Sequence, residues 1–267
     1  MAHAAGVKQL VITASIMSLA APDDFWKEIT ISEKSELVPS QLEKARKDFD
    51  FRLLRFLRPT PAETSPLTVE DGLRPGASPI DVYATSKALA DLAVRDFKRA
   101  HPELDLTTIH PSYVYGPLGR GQVYSAPSTG TNRYIYALIN GEPGRPVSGY
   151  DPATRGAPLS VDARDVARAH VLALKVPPSD EPKRFVVSSY RFTWVEAVEF
   201  LAQARPELKE RLPVVTGNEP PVQFATLDTS TTESVLGIKD YIKWQDTILD
   251  TVDDLLRIEK ELAAAAQ

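Results

Sequence analysis

The sequence predicts an α/β fold built on a parallel sheet, and three stretches predict it. Residues 10–13 form a short apolar run, with a turn at Gly6 before it and the small residues Ala14 and Ser15 after it. That is the pattern of a parallel strand covered on both faces. Residues 83–100 form a long helical run, ended by His101 and Pro102. Residues 106–110 form a second buried strand. Strand, long helix, parallel strand is the βαβ order, joined by a right-handed crossover. Ligands of such sheets gather at the carboxyl ends of the strands. Ser15 and Pro111 both lie at those ends and point to one shared crevice.

The remaining elements follow in order. From residue 21 to 61 the composition changes: Leu42, Ala45, Phe49, Leu53, Phe56 and Leu57 fall near helical spacing in a segment rich in Lys and Arg. This reads as an amphipathic helix packed on the core, with a membrane-surface or partner-binding helix as the sharper alternative. Pro59, Pro61, Pro66, Pro75 and Pro79 mark an irregular connection to the Tyr83 helix. Residues 111–117 read as a loop, and 132–140 as a helix closed by Gly141. Residues 159–162 are extended and 163–175 helical, with Asp162 as N-cap. A third strand spans 184–188. Two further helices follow, 193–204 capped by Thr193, and one from 240 to 265 with charges on one face.

Composition removes several classes of function. Hydrophobic residues at 43% and charged residues at 25% are ordinary for a globular protein. The net charge of -5, without a basic block, argues against nucleic acid. No Cys is present, which removes disulfides, thiol catalysis and thiolate metal sites. His3, His101, His110 and His170 show no metal-ligand spacing, so no metal site is expected. No apolar run approaches the ~20 residues of a membrane span, and the first residues do not read as a signal peptide. The expectation is a cytoplasmic protein.

Chemistry concentrates on the Tyr83 helix. Tyr83 and Lys87 stand four apart and share one helix face. An ammonium beside a phenol favours the phenolate, which gives an acid–base pair. A solvated Tyr–Lys pair has the same spacing, so the reading depends on what surrounds it. The bland readings of Ser15 and Pro111 are a strand-end hydroxyl and a turn.

Five stretches in order resemble the extended short-chain dehydrogenase/reductases, within their dihydroflavonol-reductase-like and aldehyde-reductase-like branch. They are residues 6–15 (GVKQLVITAS), 82–87 (VYATSK), 110–117 (HPSYVYGP), 160–170 (SVDARDVARAH) and 236–239 (LGIK) with its following helix. The resemblance implies a partial Rossmann-type sheet in residues 1–191, interrupted by an insert at 21–61, and a small substrate lobe in 192–267. It implies that Ser15 polarises a substrate carbonyl and that Tyr83 protonates the developing alkoxide. Lys87 would lower the Tyr83 pKa and hold the ribose of an NADP cofactor, with NAD as the alternative. Tyr83, Lys87, Pro111, Ser112 and Val114 would line the nicotinamide end. Asp162, Asp165 and His170 read equally well as a cap and a packed helix or as catalytic groups.

The chain departs from that family in one respect. The Gly-rich turn of the first βαβ unit is not in it, and Gly116, Gly119 and Gly121 follow the wrong strand at the wrong spacing. A truncated sheet, weak cofactor affinity and an open sheet edge are therefore expected. The edge would lead either to self-association or to cover by the 42–57 helix. The functional expectation is a reductase of a small ketone or aldehyde. The alternatives are a non-catalytic remnant acting as a binding protein and, third, a sugar-nucleotide epimerase or dehydratase.

Overall fold

The computed structural model describes residues 5–35, 72, 74–119, 130–147 and 159–265. Through them run β1 (Gln9–Thr13), two 3-10 turns (Ile16–Ser18 and Pro22–Trp26) and β2 (Thr30–Ile31). Then come α1 (Pro79–Ala100), β3 (Asp105–Pro111), β4 (Tyr113–Tyr115), α2 (Arg133–Ile139) and β5 (Ser160–Asp162). α3 (Ala163–Ala173), β6 (Lys183–Val187), α4 (Trp194–Ala204), β7 (Thr226–Leu227) and α5 (Trp244–Ala265) complete the order. The chain divides into two compact units that interleave along the sequence. One comprises Met1–Ser112, Arg168–Val187 and Gln223–Lys239, the other Tyr113–Ala167, Ser188–Val222 and Asp240–Gln267.

The first unit is built on a parallel sheet in the order β1-β3-β6. β3 is buried along its whole length, as a central parallel strand is, with Asp105 and His110 buried among its Leu, Thr and Ile residues. Leu10 lies opposite Leu106 and Ile12 opposite Thr108; on the other side Ile109 faces Phe185. Asp105 ties the amino ends of all three strands, accepting from Lys183 Nζ at 2.6 Å and from Gln9 Nε2 at 3.1 Å. α1 starts where Ser78 Oγ accepts the Asp81 N–H at 3.2 Å and Pro79 takes a position that needs no N–H. Its small buried residues Ala84 and Ala88 let it pack on the Ile16–Ser18 turn and on β3. β2 and β7, two residues each, pair in parallel beside this sheet's connections.

The second unit has the parallel pair β4–β5, with Tyr113 opposite Ser160 and Tyr115 opposite Asp162. Its core gathers Tyr115, Ile135, Phe192, Trp194, Leu201, Val252 and Leu255 from β4, α2, α4 and α5. Phe192 stacks on Trp244 with centroids 5.1 Å apart and meets Trp194 edge-on at 5.4 Å. α4 opens on a capping box between Thr193 and Glu196.

The α/β fold and its three parallel strands agree with the sequence. Residues 111–117 do not form a simple loop, because Tyr113–Tyr115 is β4. A three-residue strand has no readable period, and its partner lies 47 residues away in the Tyr113–Ser160 register. The terminal helix starts at Trp244 rather than near Asp240. The amphipathic helix expected at 42–57 lies outside the described residues.

Candidate active site

Ser15 stands just past the end of β1, as the N-cap of the Ile16–Ser18 turn. Only 6% of it is exposed. Its Oγ accepts the Met17 N–H at 3.2 Å. Accepting uses a lone pair and leaves the hydroxyl proton to be donated elsewhere. The Ser15 carbonyl accepts from Ser18 Oγ at 2.7 Å, from Ser18 N–H at 3.0 Å and from the His110 ring at 3.2 Å.

Tyr83 and Lys87 lie on one face of α1, as their spacing predicts. Lys87 Nζ sits 5.6 Å from the centroid of the Tyr83 ring, over its π face. Tyr83 is 44% exposed, and the Ser86 hydroxyl donates to its backbone carbonyl at 2.7 Å. α1 packs on the Ile16–Ser18 turn, and Ala88, next to Lys87, touches Ala21. The turn bearing Ser15 and the helix bearing the pair are thus neighbours. Among the described residues no hydrogen bond joins Tyr83 to Ser15.

Pro111 closes β3, and Ser112 follows with its N–H donated to the Val187 carbonyl at 3.0 Å. Among the described residues the Ser112 and Thr85 hydroxyls are buried without a hydrogen-bond partner, and Thr85 lies against Gly72. A buried orphan hydroxyl costs about 1–3 kcal/mol, so Ser112, which follows the last residue of β3, suits a polar ligand at this end of the sheet. The residues present therefore fit the nicotinamide portion of a cofactor. Val114 lies on β4 in the second unit, and its carbonyl accepts the Thr131 hydroxyl. A cavity of about 600 Å³ opens at the opposite, amino ends of β1 and β3, beside Lys8, Gln9 and Asp105. That is the wrong end of a parallel sheet for its main ligand.

Asp162, Asp165 and His170 all have structural partners. Asp162 accepts from the Arg164 guanidinium at 2.8 and 2.9 Å, from the Arg164 N–H at 2.8 Å and from Thr247 Oγ1 at 2.8 Å. Burial pushes its pKa up, but these hydrogen bonds outweigh burial and hold it below the usual aspartate value. Asp165 accepts the Ile242 N–H at 2.9 Å, and the His170 ring bonds Thr13 Oγ1 at 2.8 Å.

Sequence reasoning missed a buried polar cluster beneath Ser15. The His110 Nδ1 lies 3.1 Å from Ser18 Oγ, and its Nε2 lies 2.8 Å from Thr108 Oγ1. Asp91 Oδ1 stands 3.6 Å from the same Nε2, while Asp91 Oδ2 binds Arg95 at 2.7 Å and Arg184 at 3.0 Å. Burial, and next the Arg184 charge, push the His110 pKa down to about 4. The one available signal was a His set in a strand otherwise composed of Leu, Thr and Ile.

Residues 59–188 match the NAD dependent epimerase/dehydratase family. The match places residues 59–188 in that family, as the sequence reading expects. Among curated proteins it is 28% identical over 189 residues to the NADPH-dependent methylglyoxal reductase of Saccharomyces cerevisiae, covering 68% of this chain and 53% of that one. It is 24% identical over 265 residues to the ketoreductase sphI of Aspergillus fumigatus, covering 96% and 66%. The fold is that of the crystal structure of Gre2 from Candida albicans, at TM-score 0.71 and 23% identity over 96% of this chain and 66% of that one. It also matches yeast Gre2 complexed with NADPH, at TM-score 0.66 and 23% identity over 95% and 65%. The sheet is therefore Rossmann-like, and the family read from the sequence holds. The chain spans about half the length of the yeast methylglyoxal reductase that it matches.

Proposed function

We propose that this chain carries the reducing centre of an NADPH-dependent reductase acting on a ketone or aldehyde of a small or secondary metabolite. The observation that carries the reading is Ser15. Its oxygen is engaged by Met17, its proton is left to donate, and its turn packs against the helix of Tyr83 and Lys87. In this reading the cofactor supplies a hydride when bound. Ser15 donates to the substrate carbonyl oxygen, and Tyr83 gives that oxygen its proton as negative charge develops there. Lys87, over the Tyr83 ring, favours the phenolate left behind and holds the ribose. Pro111 and Ser112 line the nicotinamide end, with the orphan Ser112 hydroxyl as one polar contact. Val114 joins them, and the second unit serves as the substrate lobe. NADPH is favoured over NADH because the curated relative named for its cofactor uses NADPH. A cytoplasmic setting belongs to the same reading.

A second reading, a binding protein without turnover, is favoured by the exposed Tyr83 ring and by the lack of a Tyr83–Ser15 hydrogen bond among the described residues. The two separate in one assay. With saturating NADPH and methylglyoxal as the carbonyl, the reductase reading expects cofactor oxidation, reduced by about 10²–10⁴-fold in Tyr83→Phe. No oxidation, or an unchanged rate in Tyr83→Phe, would favour the binding protein.

A further inference from the structure

His110 is buried at the carboxyl end of the central strand, one residue before Pro111, and the mechanism above does not use it. Its partners settle its tautomer. The Ser18 hydroxyl, 3.1 Å from Nδ1, gives its one proton to the Ser15 carbonyl at 2.7 Å, and that carbonyl, 3.2 Å from Nδ1, can only accept. Nδ1 therefore carries the proton, and Nε2 accepts the Thr108 hydroxyl at 2.8 Å. A neutral imidazole has one donor and one acceptor, and both are spent. The carboxylate nearest Nε2, Asp91, is held by Arg95 from its own helix and by Arg184 from β6, and burial and the Arg184 charge outweigh its pull on a second proton.

The Ser15 carbonyl thus has two kinds of anchor. Ser18 is local, three residues on, and comes with any tight capped turn. His110 is 95 residues away and belongs to the neighbouring strand. The local anchor gives the turn its shape. The cross-strand anchor fixes where that turn stands relative to the end of β3, where Pro111 and Ser112 lie. The peptide oxygen and the Oγ belong to one residue, so holding the first restricts where the second can go.

We infer that His110 is a positioning residue, which through its Nδ1–H holds the Ser15 carbonyl, and with it the Ser15 hydroxyl, against the carboxyl end of β3, while Thr108 keeps the ring in the required tautomer. The catalytic consequence rests on the reductase reading; the positioning itself rests on geometry alone. The charged groups facing the ring are Asp91 and Arg95 from α1 and Arg184 from β6; the Ile16–Ser18 turn brings none. Protonation would place a second N–H against the Thr108 hydroxyl, forcing that hydroxyl to turn, and would draw the ring toward Asp91.

The test compares His110→Asn, which keeps an N–H near the Nδ1 position, with His110→Leu, which keeps none. Amide hydrogen exchange at Met17 and Ser18 should accelerate by about tenfold or more in His110→Leu relative to Phe185 in β6, and return close to the original rate in His110→Asn. Unchanged exchange in His110→Leu, or no recovery in His110→Asn, would overturn the inference. Imidazole nitrogen spectra of the unaltered chain give a second readout that needs no core variant. They should show the Nδ1–H tautomer, and a mixture in Thr108→Val; a ring protonated on Nε2 alone would overturn it. Where NADPH and methylglyoxal give turnover, His110→Leu should lower kcat/KM by about tenfold in the Ser15 background and no further once Ser15→Ala is present. Equal losses in both backgrounds would mean that His110 does not act through Ser15. Failure of turnover in the unaltered chain counts against the reductase reading, and exchange and tautomer then decide the positioning alone.

Discussion

A serine that caps its own turn still has one proton to give, and under the proposed function Ser15 does two jobs with one oxygen. Ser15→Ala removes both. The lost cap should cost about 1 kcal/mol of stability, and the lost donor should lower kcat by about 10²–10³; urea titration and steady-state kinetics measure them separately. His110 adds a pH dependence whose sign follows from its depressed pKa. Its ordinary value is 6.5 and its folded value about 4. The unfolded chain therefore binds the proton first as pH falls, and stability present above 6.5 is lost on the way down to 4. Between pH 7 and pH 5 the loss should be about 2 kcal/mol, and His110→Leu should flatten the slope in that window. A slope that survives the substitution would place the titration elsewhere. Tyr83 and Lys87 were legible in the sequence because a spacing of four is local. His110 was not, because its partners Ser15 and Ser18 lie 95 and 92 residues away.

At the scale of elements, legibility followed the end signals in part: Thr193 reads as a cap, whereas Pro79 reads as part of an irregular connection although it opens α1. Ser78 with Pro79, and Thr193 with Glu196, each mark a helix start through a side chain that reaches the backbone three residues on. Both caps are in place in the structure. Thr193→Ala removes the Oγ1 half of the capping box, leaving the Glu196 carboxylate on the backbone N–H of residue 193, and should cost about 1 kcal/mol, read from thermal or urea unfolding. A loss within error would mean that packing of Trp194 and Leu201, rather than the cap, sets where α4 begins. β4, β2 and β7 had no such signal. They are two or three residues long, and their only identity is the strand they pair with.

For the whole molecule, the sequence suggests successive domains, while the chain folds as two units that each draw on three separate stretches. Contacts between distant stretches create that division, and no composition shift announces it. The same scale raises the question of β1, whose one strand partner among the described residues is β3. Lys8 offers its carbonyl, and Ala14 its N–H, to β3. Alternation along a strand then turns the N–H groups of Gln9, Val11 and Thr13 toward the side that no described strand occupies. Unpaired edge groups are a template for another chain, and nearby Val171 and Leu174 are exposed. Self-association through β1 is the expected outcome, seen by light scattering as a mass above that of one chain. Val11→Pro removes an outward N–H while leaving the ladder to β3 in place, and an edge is where a strand tolerates proline. It should return the protein to a single-chain mass with the fold retained by circular dichroism. A Val11→Pro protein that stays associated would move the contact away from β1. An unaltered chain that is already monomeric, with residues 9–13 slow to exchange, would mean that the edge is covered from within the chain.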